Sequence, residues 1–140
     1  MNVADTNVWI YYHDARDPAK QAAASTVLDT VRPLVLPWQV GCEFMAASRK
    51  LLPFGFTEEM AWQALAAMQD VAALIALPNP VDWEAARELQ TGEMLSFWDT
   101  LLLATCLRNG VTTLYSEDFG SPRTIRGISV VNPFATPSQP

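Results

Sequence analysis

Hydrophobic positions along this chain come in two alternating textures. Short, mostly apolar runs occur at Met1–Ala4, Leu34–Leu36, Ala72–Leu77, Thr112–Tyr115 and Ile128–Val131. Their continuity predicts strands covered on both faces. Between them lie longer mixed segments bounded by helix signals. Asp17-Pro18 pairs an N-cap with Pro at the first helical position and opens an Ala-rich helix to about Val31. A helix is predicted from Trp38 to Leu52, stopping before Pro53. Thr57, with Glu58 and Glu59 in the first turn, opens another that runs to about Gln69. Asn79-Pro80-Val81-Asp82 opens a helix ending near Gly92, and Ser96 opens the next, which stops at Asn109-Gly110. Asp5-Thr6-Asn7 reads as a loop leaving the first strand.

Strands alternating with helices argue for an α/β fold: three α/β/α layers around a mainly parallel central sheet. The chain has 140 residues, the size of one ordinary domain, and no repeat or linker divides it. Residues 1–134 are expected to form that domain, with the proline-bearing tail 135–140 frayed.

Composition narrows the function classes. Half the residues are hydrophobic, enough for a core. No apolar run reaches the roughly 18 residues of a membrane span, and no leader pattern opens the chain, so a cytoplasmic location is expected. Cys42 and Cys106 lie far apart and, with His13 alone, give no zinc spacing. Both are expected to be reduced, buried side chains, and His13 to be a surface residue of a polar loop. The net charge of −6 excludes a protein that coats nucleic acid through a broad basic face. A phosphate substrate would need a bound cation and a few local arginines.

Four separated acids then stand out. Asp5 follows the first strand and Asp118 follows the fourth. If those strands are parallel, both acids point to one end of the sheet, where α/β folds bind ligands; both also suit ordinary turns. At about 100° per residue, Asp99 falls among Leu102, Leu103, Cys106 and Leu107. A charge on that stripe is costly unless paired or bound to a cation. Ser96-Phe97-Trp98-Asp99 also fits a capping box, and the two readings can coexist. Glu43 lies at the edge of the apolar face made by Val40, Phe44, Ala47 and Leu51, where a snorkelling acid would also fit. No Lys or Arg shares a helix face with these acids, apart from Lys50, two turns beyond Glu43. Clustered carboxylates raise one another's pKa, and a hard divalent cation such as Mg²⁺ or Mn²⁺ relieves that conflict. Metal-activated water attacking a phosphodiester is the chemistry such a set supports.

The motifs carry a resemblance. Val3-Ala4-Asp5-Thr6-Asn7-Val8 resembles the opening strand and loop of PIN domains. Leu95-Ser96-Phe97-Trp98-Asp99-Thr100-Leu101-Leu102 resembles the helix carrying their third acid, and Leu114-Tyr115-Ser116-Glu117-Asp118-Phe119-Gly120 the segment carrying the fourth. Val131-Asn132-Pro133-Phe134 resembles a common family ending. Within the class the chain is most similar to VapC toxins of prokaryotic toxin–antitoxin pairs.

The resemblance implies a PIN-like fold and an endoribonuclease using Mg²⁺ or Mn²⁺. It implies catalytic acids Asp5, Glu43, Asp99 and Asp118, with Asp5 and Asp99 as direct metal ligands and Glu43 and Asp118 acting directly or through water. Asn7 and Ser116 stand at positions that support the site, although Asn7 also fits a plain loop role. It further implies an RNA substrate, a homodimer and a cognate antitoxin that lays an extended or helical tail over the toxin. Trp38, Trp62 and several Met residues have two readings, core filling or partner surface. One segment departs from the pattern: where relatives often carry a polar or basic loop after the fourth acid, this chain has Gly120-Ser121-Pro122-Arg123, continuing to Arg126.

Rival readings fare worse. A haloacid-dehalogenase phosphatase needs a second Asp two residues after the first, where this chain has Asn7. A receiver domain needs a late strand-end Lys, and the only lysines are Lys20 and Lys50. A catalytically inactive PIN-like binding module is the remaining alternative.

Overall fold

The computed structural model describes residues 1–120 and 122–135. Its elements alternate as the apolar runs predict: β1 (Asn2–Ala4), α1 (Thr6–Tyr12), α2 (Pro18–Thr30), β2 (Leu34–Pro37), α3 (Trp38–Ala47), a 3-10 helix (Ser48–Phe54), α4 (Glu58–Val71), β3 (Ala72–Ala76), α5 (Val81–Glu93), α6 (Phe97–Arg108), β4 (Thr113–Tyr115), β5 (Arg123–Ile125) and β6 (Ile128–Val131). One six-stranded sheet runs β3-β2-β1-β4-β6-β5. Every pairing is parallel except β5 with β6. This is a mostly parallel α/β sheet flanked by helices.

The order fixes where a ligand can enter. From β1 the chain builds outward to β2 and β3, then returns to add β4 on the other side. The strand order therefore reverses between β1 and β4, and a crevice opens beyond their carboxyl ends. The backbone is tied there: Asp5 N–H donates to Tyr115 O at 2.9 Å, and Ser116 N–H to Val131 O at 2.9 Å. Val3, Val8, Val40, Phe44, Leu103 and Leu114, all fully buried, pack beneath the seam.

Local chemistry explains several boundaries. Asp17 caps α2 by accepting from Lys20 N–H at 3.1 Å, and Thr57 caps α4 by accepting from Met60 N–H at 3.1 Å. Gly110 takes a left-handed φ of 70° just beyond α6, where a side chain would be strained. Asp82 and Arg108 close the α5–α6 pair with two bonds of 2.7 and 2.9 Å. Burial alone would raise the Asp82 carboxyl, but the Arg108 and Asn79 bonds hold it below its usual value.

Five readings change. The segment after β1 is a helix, not a loop, and Asp5 is its N-cap. The 3-10 helix carries the chain past Pro53. The Ala72–Leu77 run forms an edge strand, so Leu74 and Leu77 are exposed. Cys42 is exposed, whereas Cys106 is buried and its thiol pushed up by that burial. His13 is half-buried among the rings of Phe56, Tyr12 and Phe44, at 4.7, 5.0 and 5.9 Å, and burial lowers its pKa. The expected tail, apart from Ala135, lies outside the described residues, as does Ser121. No helix among the described residues is long and apolar enough to cross a membrane.

Candidate active site

The four acids meet at the crevice beyond β1 and β4. Asp5, Glu43, Asp99 and Asp118 line one cleft of about 430 Å³ with Thr6, Asn7, Ala46 and Ala47. Each arrives from a different element. Asp5 follows β1 and caps α1, Glu43 projects from the second turn of α3, Asp99 sits in the first turn of α6, and Asp118 follows β4.

Asp5 is the anchor. It is 6% exposed. Its Oδ1 accepts from Thr6 N–H at 2.7 Å and its Oδ2 from the Ser116 hydroxyl at 2.8 Å. Burial pushes its carboxyl up to about 6; the Ser116 and Thr6 bonds oppose that rise, and the charges of Glu43 and Asp118 add to it. Ser116 Oγ also accepts from Asp118 N–H at 3.0 Å, so one buried hydroxyl links the first acid to the loop of the fourth.

The other acids show the same mutual strain. Asp99 is half-buried; burial raises its carboxyl, Ser96 opposes the rise and Glu43 reinforces it. Ser96 also caps the helix, accepting from Asp99 N–H at 3.2 Å, so the cap and the cleft position coexist in one residue. Asp99 lies in the first turn of α6, in line with the buried Leu102, Leu103 and Cys106, and its place at the helix end leaves it half-buried. Asp118 is exposed at the cleft mouth, yet partial desolvation of its carboxyl, then Asp99, Glu117 and Glu43, raise its pKa. Glu43 is gripped on both oxygens: Thr6 hydroxyl donates to Oε2 at 2.7 Å, and Gln39 Nε2 to Oε1 at 2.8 Å.

Thr6 and Gln39 escaped the sequence reading. Gln39 stands one turn before Glu43 on the same helix, a spacing that brings side chains together and was the available signal. Glu117 is a further surprise. Its Oε1 accepts from Asn7 Nδ2 at 3.1 Å and Tyr11 hydroxyl at 3.0 Å, while Lys20 Nζ lies 3.4 Å from Oε2. Asn7 therefore borders the cleft but spends its amide on Glu117. The expected local arginines are committed elsewhere. Arg123 bonds Glu93 at 2.5 Å, and Arg126 lies 4.0 Å from Glu88.

The donor set fits a hard divalent cation in kind: all-oxygen, acidic and mutually repelling. Among the described residues no three acid, His or Cys side chains form a ready-made ligand cluster, and an ion held there would complete its shell with water.

Beside the acids runs an apolar groove of about 750 Å³ that shares Glu43 with the cleft. Trp38, Trp83 and Trp98 line it, exposed by 54%, 64% and 62%. Trp38 also borders a second apolar cleft with Trp62, itself 63% exposed. These tryptophans fill no core.

A sheet-end crevice lined by four carboxylates from separate elements places the fold among acid-site α/β proteins. The chain belongs to the PIN-domain family, which it matches over residues 3–124. No curated protein sequence matches it. Among solved structures it is similar to VapC20 of Mycobacterium tuberculosis, described as a Sarcin-Ricin loop cleaving toxin, with a TM-score of 0.67 and 18% identity over 92% of this chain and 99% of that one. A toxin–antitoxin complex from Klebsiella pneumoniae gives 0.69 and 21%, over 95% and 98%. VapBC2 from Rickettsia felis, bound to a DNA fragment from its promoter, gives 0.64 and 13%, over 92% and 96%. At these identities the likeness is one of fold.

Proposed function

We propose that this chain is a metal-dependent endoribonuclease, the toxin of a type II toxin–antitoxin pair. The observation that carries the reading is the convergence of Asp5, Glu43, Asp99 and Asp118 on one cleft at the strand-order reversal, with Asp5 buried and its carboxyl raised to about 6. Asp5 and Asp99 would hold a Mg²⁺ or Mn²⁺ ion directly, with Glu43 and Asp118 directly or through water. Such an ion supplies a water of lowered pKa and neutralises charge on the phosphoryl group. The chain's own residues do the rest. Thr6 and Ser116 fix the Asp5 carboxylate by hydrogen bonds to both oxygens. Ser116 holds the Asp118 loop against β1 through the Asp118 N–H. Asn7, oriented by Glu117, borders the cleft as a supporting residue.

The partner reading rests on the tryptophans. Exposed aromatic groups on this scale mark interaction surfaces. An antitoxin segment with apolar anchors would cover Trp38, Trp83 and Trp98 and, reaching past Glu43, would block the acid cleft. A homodimer is part of the same proposal, as is action in the cytoplasm.

An inactive binding module draws on one observation: the exposed tryptophan groove offers a partner surface that needs no chemistry. Two experiments separate the readings. Mn²⁺ should raise the melting temperature of the wild type and not of Asp99→Asn; absence of any shift favours the binding module. Expression alone should arrest growth with RNA cleavage, and co-expression of the protein encoded beside it should restore growth. Normal growth with intact RNA on expression alone contradicts the toxin reading.

A further inference from the structure

Gln39 stands between the acid cleft and the tryptophan groove, and its bonds join two elements. Its Nε2 donates to Glu43 Oε1 at 2.8 Å and to the Trp98 carbonyl at 3.0 Å. The first bond runs along α3. The second crosses to the first turn of α6, immediately before Asp99. One side chain therefore connects the helix that carries one carboxylate to the helix that carries another.

The amide is held in this orientation at a cost. Its Oε1 is buried and has no hydrogen-bond partner among the described residues. Leaving a buried acceptor unpaired is unfavourable, and buried polar groups of this kind call for an explanation. The reversed amide would set Oε1 against the Glu43 carboxylate and the Trp98 carbonyl, losing both bonds and adding repulsion. Glu43 and Trp98 thus dictate the orientation. For packing alone, an apolar side chain of equal length would avoid the unpaired acceptor.

We propose that Gln39 is a positioning residue that clamps Glu43 to the N-terminal turn of α6, holding Glu43 and Asp99 on one cleft against their mutual repulsion. Thr6 grips the other Glu43 oxygen from the β1 side at 2.7 Å, so Gln39 supplies the restraint on the α6 side. The inference rests on the metal-dependent reading above and adds a residue to it. Partners that orient ligand side chains commonly set metal affinity.

The test is Gln39→Met, of similar length but with neither donor nor acceptor. Melting of the metal-free protein and Mn²⁺ binding by calorimetry are measured on wild type and variant. The metal-free melting temperature should change little, because the two lost bonds and the removed unpaired acceptor offset one another, while Mn²⁺ affinity falls about tenfold or more. That contrast is something a merely structural residue would not produce. Equal Mn²⁺ affinity in wild type and Gln39→Met overturns the inference, whatever the melting temperature does. If Gln39→Met fails to fold, Gln39→Ala carries the test. It removes the same donor with a smaller side chain and adds no charge, so it should also weaken Mn²⁺ binding, and unchanged or tighter binding overturns the inference. A wild type that binds no Mn²⁺ removes the metal reading and this inference with it, an outcome distinct from equal binding by both proteins.

Discussion

The Ser116 hydroxyl donates to Asp5 Oδ2 at 2.8 Å across the seam between β1 and β4, and the same oxygen accepts from Asp118 N–H at 3.0 Å. Ser116 is 1% exposed, and its bond to Asp5 is buried. Ser116→Ala leaves a carboxylate oxygen and an amide short of partners and should cost about 2 kcal/mol of stability. Denaturant unfolding reads this as a lower midpoint at unchanged slope. An unaltered midpoint would show that the hydroxyl is dispensable to the seam.

Asp5 makes stability depend on pH in a direction unusual for an acid. Its pKa rises from 3.8 to about 6 on folding. Between those values the folded state holds the proton and the unfolded state has lost it, so stability falls as pH rises. The penalty is complete above the folded value and is on the order of 3 kcal/mol. Asp5→Asn removes it while keeping an acceptor for Thr6 N–H. The metal-free variant should therefore melt above wild type at pH 7, and the gap should close towards pH 4. A gap that grows as pH falls contradicts the assignment.

Arg108 is the counter-charge to a buried acid. Its bonds to Asp82 measure 2.7 and 2.9 Å, and the Asp82 side chain is 3% exposed. Arg108→Met strands that carboxylate and should destabilise the fold by about 3 kcal/mol. The loss should be smaller at low pH, where the stranded Asp82 carboxyl of the variant, no longer held down by Arg108, takes up a proton. Thermal melts at pH 7 and pH 3.5 check both parts.

How much of this was legible in the sequence varies with the distance over which each feature is decided. The places of Asp5, Glu43, Asp99 and Asp118 followed from strand ends and the early turns of helices, which are local signals. The helix α1 was hidden because Val8-Trp9-Ile10-Tyr11-Tyr12 is β-branched and aromatic, a run that favours strands over helices. The strand β5 was hidden by its turn: Arg126 and Gly127 both take positive φ, at 50° and 86°, and Arg is not a usual residue there. The exposure of β3 depends on its place at the sheet edge, which an apolar run does not encode. The links from Thr6 to Glu43 and from Asn7, Tyr11 and Lys20 to Glu117 required the folded chain. They join residues far apart in sequence, and no periodicity announces such meetings.

The tryptophans give a prediction about partners. Trp83 is 64% exposed on α5. Trp83→Ser should change the stability of the isolated chain by less than about 0.5 kcal/mol, as for an ordinary surface site. It should weaken the complex with the proposed antitoxin by about 2 kcal/mol, as for an aromatic anchor. Calorimetric titration of the two purified proteins checks this, and equal affinities would place the antitoxin elsewhere.

The central claim is that four convergent carboxylates cleave RNA with a divalent cation. It is tested most directly by incubating the purified chain with RNA, with Mn²⁺ or with chelator, alongside the Asp5→Asn/Asp99→Asn double variant. The account predicts internal cleavage by the wild type in Mn²⁺ only, and none by the folded double variant. Cleavage that persists undiminished in the double variant, or in chelator, would contradict it.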